Sequence, residues 1–528
     1  MNKKLTPKEI IKFYKKLKSE RGTWENHWQE VTDHILPRKN TVTTTRQPGE
    51  KLTWQLLDNT GVQSNELLAG ALHGMLTNPD SPWFELTTGD IVADNDDDIR
   101  LWLQENTRKI HHVLNNSNFQ TEVHELYIDL GAIGTACQFI EEDEKNIVRF
   151  STKFIADYCI KEGRFGVVNT IFYESKWKAE DIIEEWGPGK HRDVDLSAKA
   201  CDNRDFKVIH CVYPFEKRFY QVSMLLDQET VLAEGTFNEF PYVVPRWTKA
   251  SGEHYGRSPG MNALPEMKVL NKMNETMLIG AQKKVDPPIQ MPDDGYLFPP
   301  VTAPGGINYF RSGTTNEFIK PVFNDTNLDF GYQAMEDRRK RVRDSFYIDQ
   351  LRLQQGGPAM TATEVLQRTE ESMRLLGPML GRMQAEFLRP LIDRVFNIMM
   401  RKGLITPAPA NLKNFKLDVR YSSLIAKSQR VSDAQNIMRT FQAAAPFINL
   451  DPSVADNFNG DACLRLIANV YGFPQLGLRG VKELAQIRQQ KAQAQQMQMQ
   501  EMQKQQELNN AAQMADISQK VGQNGNQA

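Results

Sequence analysis

Apolar residues recur every three to four positions over most of this chain, and the pattern gives way in the middle to β-branched and aromatic runs. From 6 to 20, Ile10, Ile11, Tyr14 and Leu17 share one helical face, behind a Thr6 that can cap and a Pro7 suited to the first turn. A second helix is predicted over 24–36, stopped by Pro37, and then a polar loop over 39–50. Residues 59–76 place Leu67, Leu68, Ala71, Leu72 and Met75 together before a break at Asn78 and Pro79, and further helices are predicted at 99–116 and 121–131. Between about 136 and 248, the runs 146–150, 167–173, 207–213 and 219–226 are bounded by Gly, Asp and Asn, as strands are. A mostly antiparallel sheet region is therefore inserted among helices.

Ser258 and Pro259 stand in the order of cap followed by first-turn proline. Met261, Leu264, Met267, Leu270, Met273, Met277 and Leu278 then keep helical period to Pro287, a length of about 40 Å. The stretch 287–323 is dense in Pro and Gly and must be turns and short strands; a helix over 328–348 follows, about 30 Å long. Two long helices thus flank a compact module. Next comes a polar loop, 350–360, with Gly356, Gly357 and Pro358. Thr361 and Glu364 form a capping box opening a helix to about 402, which Gly377, Pro378 and Gly381 should kink. Beyond Pro407 and Pro409 a short strand at 415–421 and helices over 431–472 are expected. From 481 the Gln-rich composition predicts either a helix packing only against copies of itself or a disordered tail.

Composition narrows the class. With 40% hydrophobic and 25% charged residues in 528, pervasive disorder and fibrous repeats are excluded. Lys+Arg 64 against Asp+Glu 66 leaves −2, so nucleic-acid binding must come from local charge or from enclosure. No apolar run approaches the ~18 residues that span a bilayer, and the start is unlike a signal peptide. Cys137, Cys159, Cys201, Cys211 and Cys463 are odd in number and scattered, which points to free thiols in a reducing compartment. The chain reads as soluble, cytoplasmic and multi-part.

Candidate chemistry is sparse. Gly256-Arg257-Ser258-Pro259-Gly260 fits the nucleophile elbow G-x-S-x-G, but Pro259 has no N–H for an oxyanion hole, and no histidine follows His254. Asp94, Asp96, Asp98 and Glu105 match a calcium loop in part, yet Ile99 occupies the glycine position; Asp98 reads instead as a helix cap. His111, His112 and His124 lack metal-binding spacing, and Cys201, Cys211 and His210 have no second cysteine pair. No phosphate-binding loop is present. The expectation is a non-enzyme with no catalytic residue, metal or cofactor. The run Glu336 to Asp344 carries Arg338, Arg339, Lys340, Arg341 and Arg343, either a solvated face with pairs such as Glu336 to Lys340 or a surface for phosphates; Arg352 extends it.

Three blocks, in this order, carry a resemblance. They are Asn59-Thr60-Gly61-Val62 with Leu67-Leu68-Ala69-Gly70, Asn78-Pro79 and Pro82-Trp83-Phe84; Tyr255-Gly256-Arg257-Ser258-Pro259; and Met360-Thr361-Ala362-Thr363-Glu364-Val365 continuing to Glu386-Phe387-Leu388-Arg389-Pro390-Leu391-Ile392. With the helix-module-helix excursion between them, the chain resembles the head-to-tail connector, or portal, proteins of short-tailed phages. The resemblance implies an α+β, predominantly helical subunit that assembles as a cyclic ring, usually of twelve. Wing (1–258), stem helices (259–286 and 328–348), clip (287–327) and tunnel loop (349–360) would be followed by a long kinked helix with return of the wing (361–425), a crown (426–480) and a Gln-rich barrel or tail (481–528). Double-stranded DNA would be packaged and ejected through the ring, with Arg338, Arg339, Lys340, Arg341, Arg343, Gln350, Arg352, Gln354 and Gln355 as channel candidates. The implied partners are the major capsid protein, scaffolding protein, terminase motor and tail adaptor, with no membrane, in the virion and, during assembly, the host cytoplasm. The alternatives are a helical scaffold or adaptor without a DNA channel, and a serine hydrolase at Ser258.

Overall fold

The computed structural model describes residues 4–47, 49–50, 56–90, 96–200, 202, 204–285, 289–290, 320–321, 329–351, 377–409, 418–421, 424–450, 458–470, 477, 479, 484, 486–491 and 493–504. Strands in chain order include β1 (Phe84–Thr87), β2 (Cys137–Asp143), β3 (Ile147–Lys153), β4 (Tyr158–Glu162), β5 (Val168–Lys178), β6 (Asp205–Phe215), β7 (Arg218–Leu225), β8 (Val231–Phe237) and β9 (Tyr242–Val243). The chain divides into two units. One comprises Met1–Glu85, Asn106–Thr406 and Tyr421–Ile425; the other comprises Leu86–Glu105, Pro407–Arg420 and Ala426–Ala528.

In the first unit, β4 to β8 form a five-stranded antiparallel sheet in chain order, and β3-β2-β9 form a second sheet. Alternation along β6 divides its side chains between two cores. Ile209, Cys211 and Tyr213 meet Ile10, Ile11, Tyr14 and Leu17 of the helix Pro7–Glu20, while Phe206 and Val208 meet Ile182 and Val194 of the helices Ala179–Trp186 and Arg192–Lys199. Burial on both faces is why the strands read as apolar runs. The first helix starts as its sequence prescribes: Thr6 caps it, and Glu9 accepts from the Thr6 N–H at 2.8 Å. Each of its four buried side chains contributes roughly 1.5–3 kcal/mol, and the Tyr14 hydroxyl donates to Glu174.

Helices Gly22–Ile35, Thr60–Leu76, Phe119–Ile133 and Pro259–Val285 pack on one another around Trp28, Leu68, Leu72, Leu126 and Leu264. Their closest junction has no side chains to spare. Phe119–Ile133 ends at Gly134 with φ +86°, the left-handed cap that suits glycine. A Cβ on Gly134 would lie 2.7 Å from the Gly256 carbonyl oxygen, and one on Gly260 would lie 2.7 Å from that of Ala132. A Cβ on Gly256 would collide with the Gly134 carbonyl oxygen, so backbone rests on backbone, and the Gly256 N–H donates to the side-chain hydroxyl of Thr135 at 2.7 Å.

Arg246 sits beside this junction, 1% exposed. Its guanidinium donates to both oxygens of Glu386 (3.0 and 2.8 Å), to Glu162, and to the carbonyls of Gly166 (2.9 Å) and His254 (3.2 Å). Glu386 lies on a π turn, Gln384–Leu388, which interrupts a helix described from 377 to 401. The helix is described from Gly377 and is α-helical at Gly381; what precedes Gly377 lies outside the described residues, and the departure from α geometry falls where Glu386 turns toward Arg246. The capping box at Thr361 and Glu364 lies outside the described residues.

The second unit is chiefly helical, with most of Leu424–Leu450 and with Gly460–Val470; Phe441 lies 5.2 Å from Phe458. The helix Asp97–Asn116 begins one step before the predicted cap. Asp96, not Asp98, is the capping side chain, its Oδ1 accepting the Asp98 N–H at 3.0 Å. Residues 486–491 and 493–504 of the Gln-rich end are helical and nearly all exposed; Arg488 pairs with Asp461 at 2.6 Å.

Two predictions follow from these buried charges. Glu386→Gln leaves Arg246 with a weakened counter-charge and should cost about 3 kcal/mol, read as a lowered urea midpoint; an unchanged midpoint would show that Glu162 and the carbonyls suffice. Burial lifts the Asp129 carboxyl to about 6, against the pull of Lys39 at 2.6 Å. Its folded-state pKa is above the ordinary value of 3.8, so stability should decline as pH rises from about 4 to about 6 and level off above. Asp129→Asn should flatten that decline, measured as the midpoint difference from wild type at the two ends.

Candidate functional site

The excursion begins at Ser258. Its Oγ accepts the Met261 N–H at 2.9 Å, donates to the Ala132 carbonyl at 2.6 Å, and is buried. Both hydrogen-bonding roles of the hydroxyl are occupied by backbone, so it is a helix cap, with no activating partner among the described residues. The first half of Pro259–Val285 is core: Met261, Leu264, Met267 and Leu270 are buried. Beyond Leu270 the helix emerges, leaving Leu278 at 49%, Ile279 at 44% and Val285 at 86% exposed. The return helix, Asp329–Ser345, carries Phe330 and Tyr332 at 78% and 52%. Met277 fills the space over Gly331, where a Cβ would collide with its sulfur, and this lets the two helices approach closely. The methionine stripe is therefore used largely within the chain, and apart from Val269 the exposed large apolar residues of the two helices lie at the far end. Ile289–Gln290 and Lys320–Pro321 pair antiparallel, joining the two ends of the Pro- and Gly-rich module, whose interior lies outside the described residues.

The predicted second helix, 328–348, is shorter than its period suggests. It ends at Ser345, and Tyr347 takes φ +60° before a short helix, Ile348–Leu351. A left-handed non-glycine residue leaves no pattern in a sequence.

The charge run splits in two. Arg338 donates to Glu266 on the neighbouring helix at 2.6 Å, and Arg339 donates to Asp58 at 3.0 Å and to Glu336 at 2.6 Å. Asp58 is itself buried and accepts the Thr60 N–H at 2.9 Å, so Arg339 closes a link between the return helix and the start of Thr60–Leu76. Its hydrogen bond to Glu336, opposed by partial burial and helped by Asp58, raises the guanidinium pKa. The expected pair between Glu336 and Lys340 gives way to Glu336 with Arg339, because Arg339 points toward Asp58 and draws Glu336 with it. Lys340 is exposed, Arg341 is 65% exposed and 3.6 Å from Glu266, and Arg343 is half-buried. Gln350 is exposed on the short helix. Arg352, Gln354 and Gln355 lie outside the described residues, as does most of the loop they belong to.

His111, His210, Cys137, Cys159 and Cys211 are packing groups, and Cys201 lies outside the described residues. Neighbours on β6 point to opposite faces, so Cys211 lies under the first helix while His210 lies among Tyr173, Trp177 and Trp186. Burial, then Lys153, lowers the His210 pKa to about 4; its Nδ1 shares a proton with Ser223 Oγ at 2.9 Å. His111 stacks on Phe84 at 4.2 Å. Cys137, Cys159, Cys211 and Cys463 are free thiols.

Two long paired helices thus leave a packed helical base, with a buried, capped serine at the start of the first. Over residues 7–478 the chain matches the family described as bacteriophage head to tail connecting protein, and it belongs to that family. It is 30% identical over 505 residues to the "Probable portal protein" of Bordetella phage BPP-1, which covers 91% of this chain and 90% of that one. It is 26% identical over 511 residues to the "Portal protein" of Salmonella phage epsilon15, with coverage of 90% and 91%. Among solved structures, a chain from the "Neck of empty GTA particle computed with C6 symmetry" aligns with 77% of this chain and 94% of its own length at 12% identity and TM-score 0.39.

Ser258→Ala should lower stability by about 1–2 kcal/mol through loss of the cap, and a fluorophosphonate probe should leave the wild-type protein unlabelled. Labelling at Ser258 would revive the hydrolase reading.

Proposed function

We propose that this portal-family chain works as one subunit of a closed ring, of twelve copies by its resemblance, at one vertex of a capsid assembled in the host cytoplasm, through which double-stranded DNA passes in packaging and ejection. The observation that carries the reading is the stem: a helix pair anchored at its root, with Leu278, Ile279, Val285, Phe330 and Tyr332 exposed at its far end. An apolar surface of this kind is ordinarily covered, and heterologous contacts between copies that close on themselves make a ring. Within the ring, Lys340 and Arg341 are the cations of the charge run free enough to meet phosphates, while Arg338 and Arg339 hold the helix in place. A duplex must be held without being trapped, and few, flexible, sequence-blind contacts suit that. The loop 349–360 would narrow the passage through Gln350, Arg352, Gln354 and Gln355. The partners proposed are the major capsid and scaffolding proteins, the terminase motor and the tail adaptor. No helix among the described residues is long and apolar enough to cross a membrane.

Native mass spectrometry with negative-stain imaging should give 12 × 60.4 ≈ 725 kDa and a ring with a central hole. A monomer at every concentration would favour the adaptor reading. In assembled particles, Lys340→Gln with Arg341→Gln should reduce DNA retention in a salt-dependent way, and deletion of 350–358 should alter packaging or retention; normal behaviour of both variants would remove DNA contact from these residues.

A further inference from the structure

The helix Pro7–Glu20 has a second face that its packing does not use. Ile10, Ile11, Tyr14 and Leu17 are buried against the five-stranded sheet, and Lys8, Lys12, Lys15 and Lys16 stand exposed on the outside. Lys8, Lys12 and Lys15 make no ion pair among the described residues, and Lys16 is 71% exposed with Glu20 no nearer than 3.8 Å. The acid within the stripe is engaged elsewhere, since Glu9 is turned back to Thr6 at 2.8 and 2.9 Å. Positive charge continues onto the sheet at Lys161, whose Nζ lies 4.7 Å over the Phe13 ring. In a chain whose formal charge is −2, this is a concentrated local field.

We propose that this lysine face is a second duplex-DNA contact surface, separate from the stem, which binds the phosphate backbone without reading sequence. Three features select the occupant. The four lysines extend over about 12 Å of helix axis, beside a duplex that carries one charge per ~1.7 Å. No exposed apolar side chain lies between them, so the face has nothing to insert into a lipid surface or an apolar groove. Protein interfaces are depleted of lysine at their cores, whereas flexible ammonium groups suit phosphates met in many registers. The helix is also rigidly mounted, through Tyr14 to Glu174 and the Leu5 N–H to Tyr213 Oη at 3.1 Å, so DNA bound here would press on the sheet itself.

The test uses the full-length protein and a labelled 30-base-pair duplex of random sequence, with affinity measured across a salt series. The variant K8Q/K12Q/K15Q/K16Q should lower the slope of log affinity against log salt by about 3–4, at ~0.9 per lost contact, and weaken binding at least tenfold at low salt. The milder K12Q/K15Q should lower it by about half as much, with unchanged thermal melting, and serves if the fourfold variant does not fold. An unchanged slope in a folded variant overturns the proposal. So does competition by poly-glutamate equal to that of duplex at matched charge, which would assign the face to an acidic protein. K340Q/R341Q is measured in parallel: a loss there alone speaks to the stem and not to this surface.

Discussion

A guanidinium with no access to water is the constraint on which this subunit depends. Removing a cation from water costs several kcal/mol, recovered only if every donor finds a partner. Arg246 finds them on four separate stretches: Glu162 at the end of β4, the Gly166 carbonyl in the turn beyond, the His254 carbonyl just before the stem, and Glu386 on the π turn. None of these can move alone without stranding a buried charge. The π turn acquires a reason in this way, since an extra residue in a helix re-aims a side chain, and the one re-aimed here is the carboxylate that meets Arg246. The start of the stem inherits its position from that network.

The same logic divides the cations of the return helix by what each one faces. Arg338 and Arg339 are spent on structure, on Glu266 and on the buried Asp58. Lys340 and Arg341, in the same helical turn, are exposed, Arg341 with Glu266 3.6 Å away. A chain of near-zero net charge can therefore present selected cations, and the first helix repeats the scheme with one face in the core and lysines on the other. Placement, more than composition, sets where positive charge is left on the surface.

Features fixed by neighbouring residues were legible in the sequence. The Thr6 and Ser258 caps, the prolines in first turns and the long helix that follows Ser258 rest on contacts within a few positions, and the structure has them there. Partners distant in the chain were not legible. Nothing near Arg339 announces Asp58, and nothing near Arg246 announces Glu386, because those pairings exist only once the helices pack. Alternation of three aspartates hid which one caps, and Tyr347 in a left-handed conformation broke a helix whose apolar period continues. The channel candidates were chosen by charge density, and charge density does not distinguish an arginine that binds a ligand from one that braces a helix.

The glycine junction has a mechanical consequence. Where side chains interlock, small displacements are absorbed by rotamer changes and by slight repacking. Between Gly134, Gly256 and Gly260 peptide planes meet directly, tied by the short hydroxyls of Thr135 and Ser258. A load applied along the helix that leaves this point would pass without slack into Phe119–Ile133 and the sheet behind it. The joint is thus a stiff bearing, and compliance in the subunit must lie elsewhere along the stem.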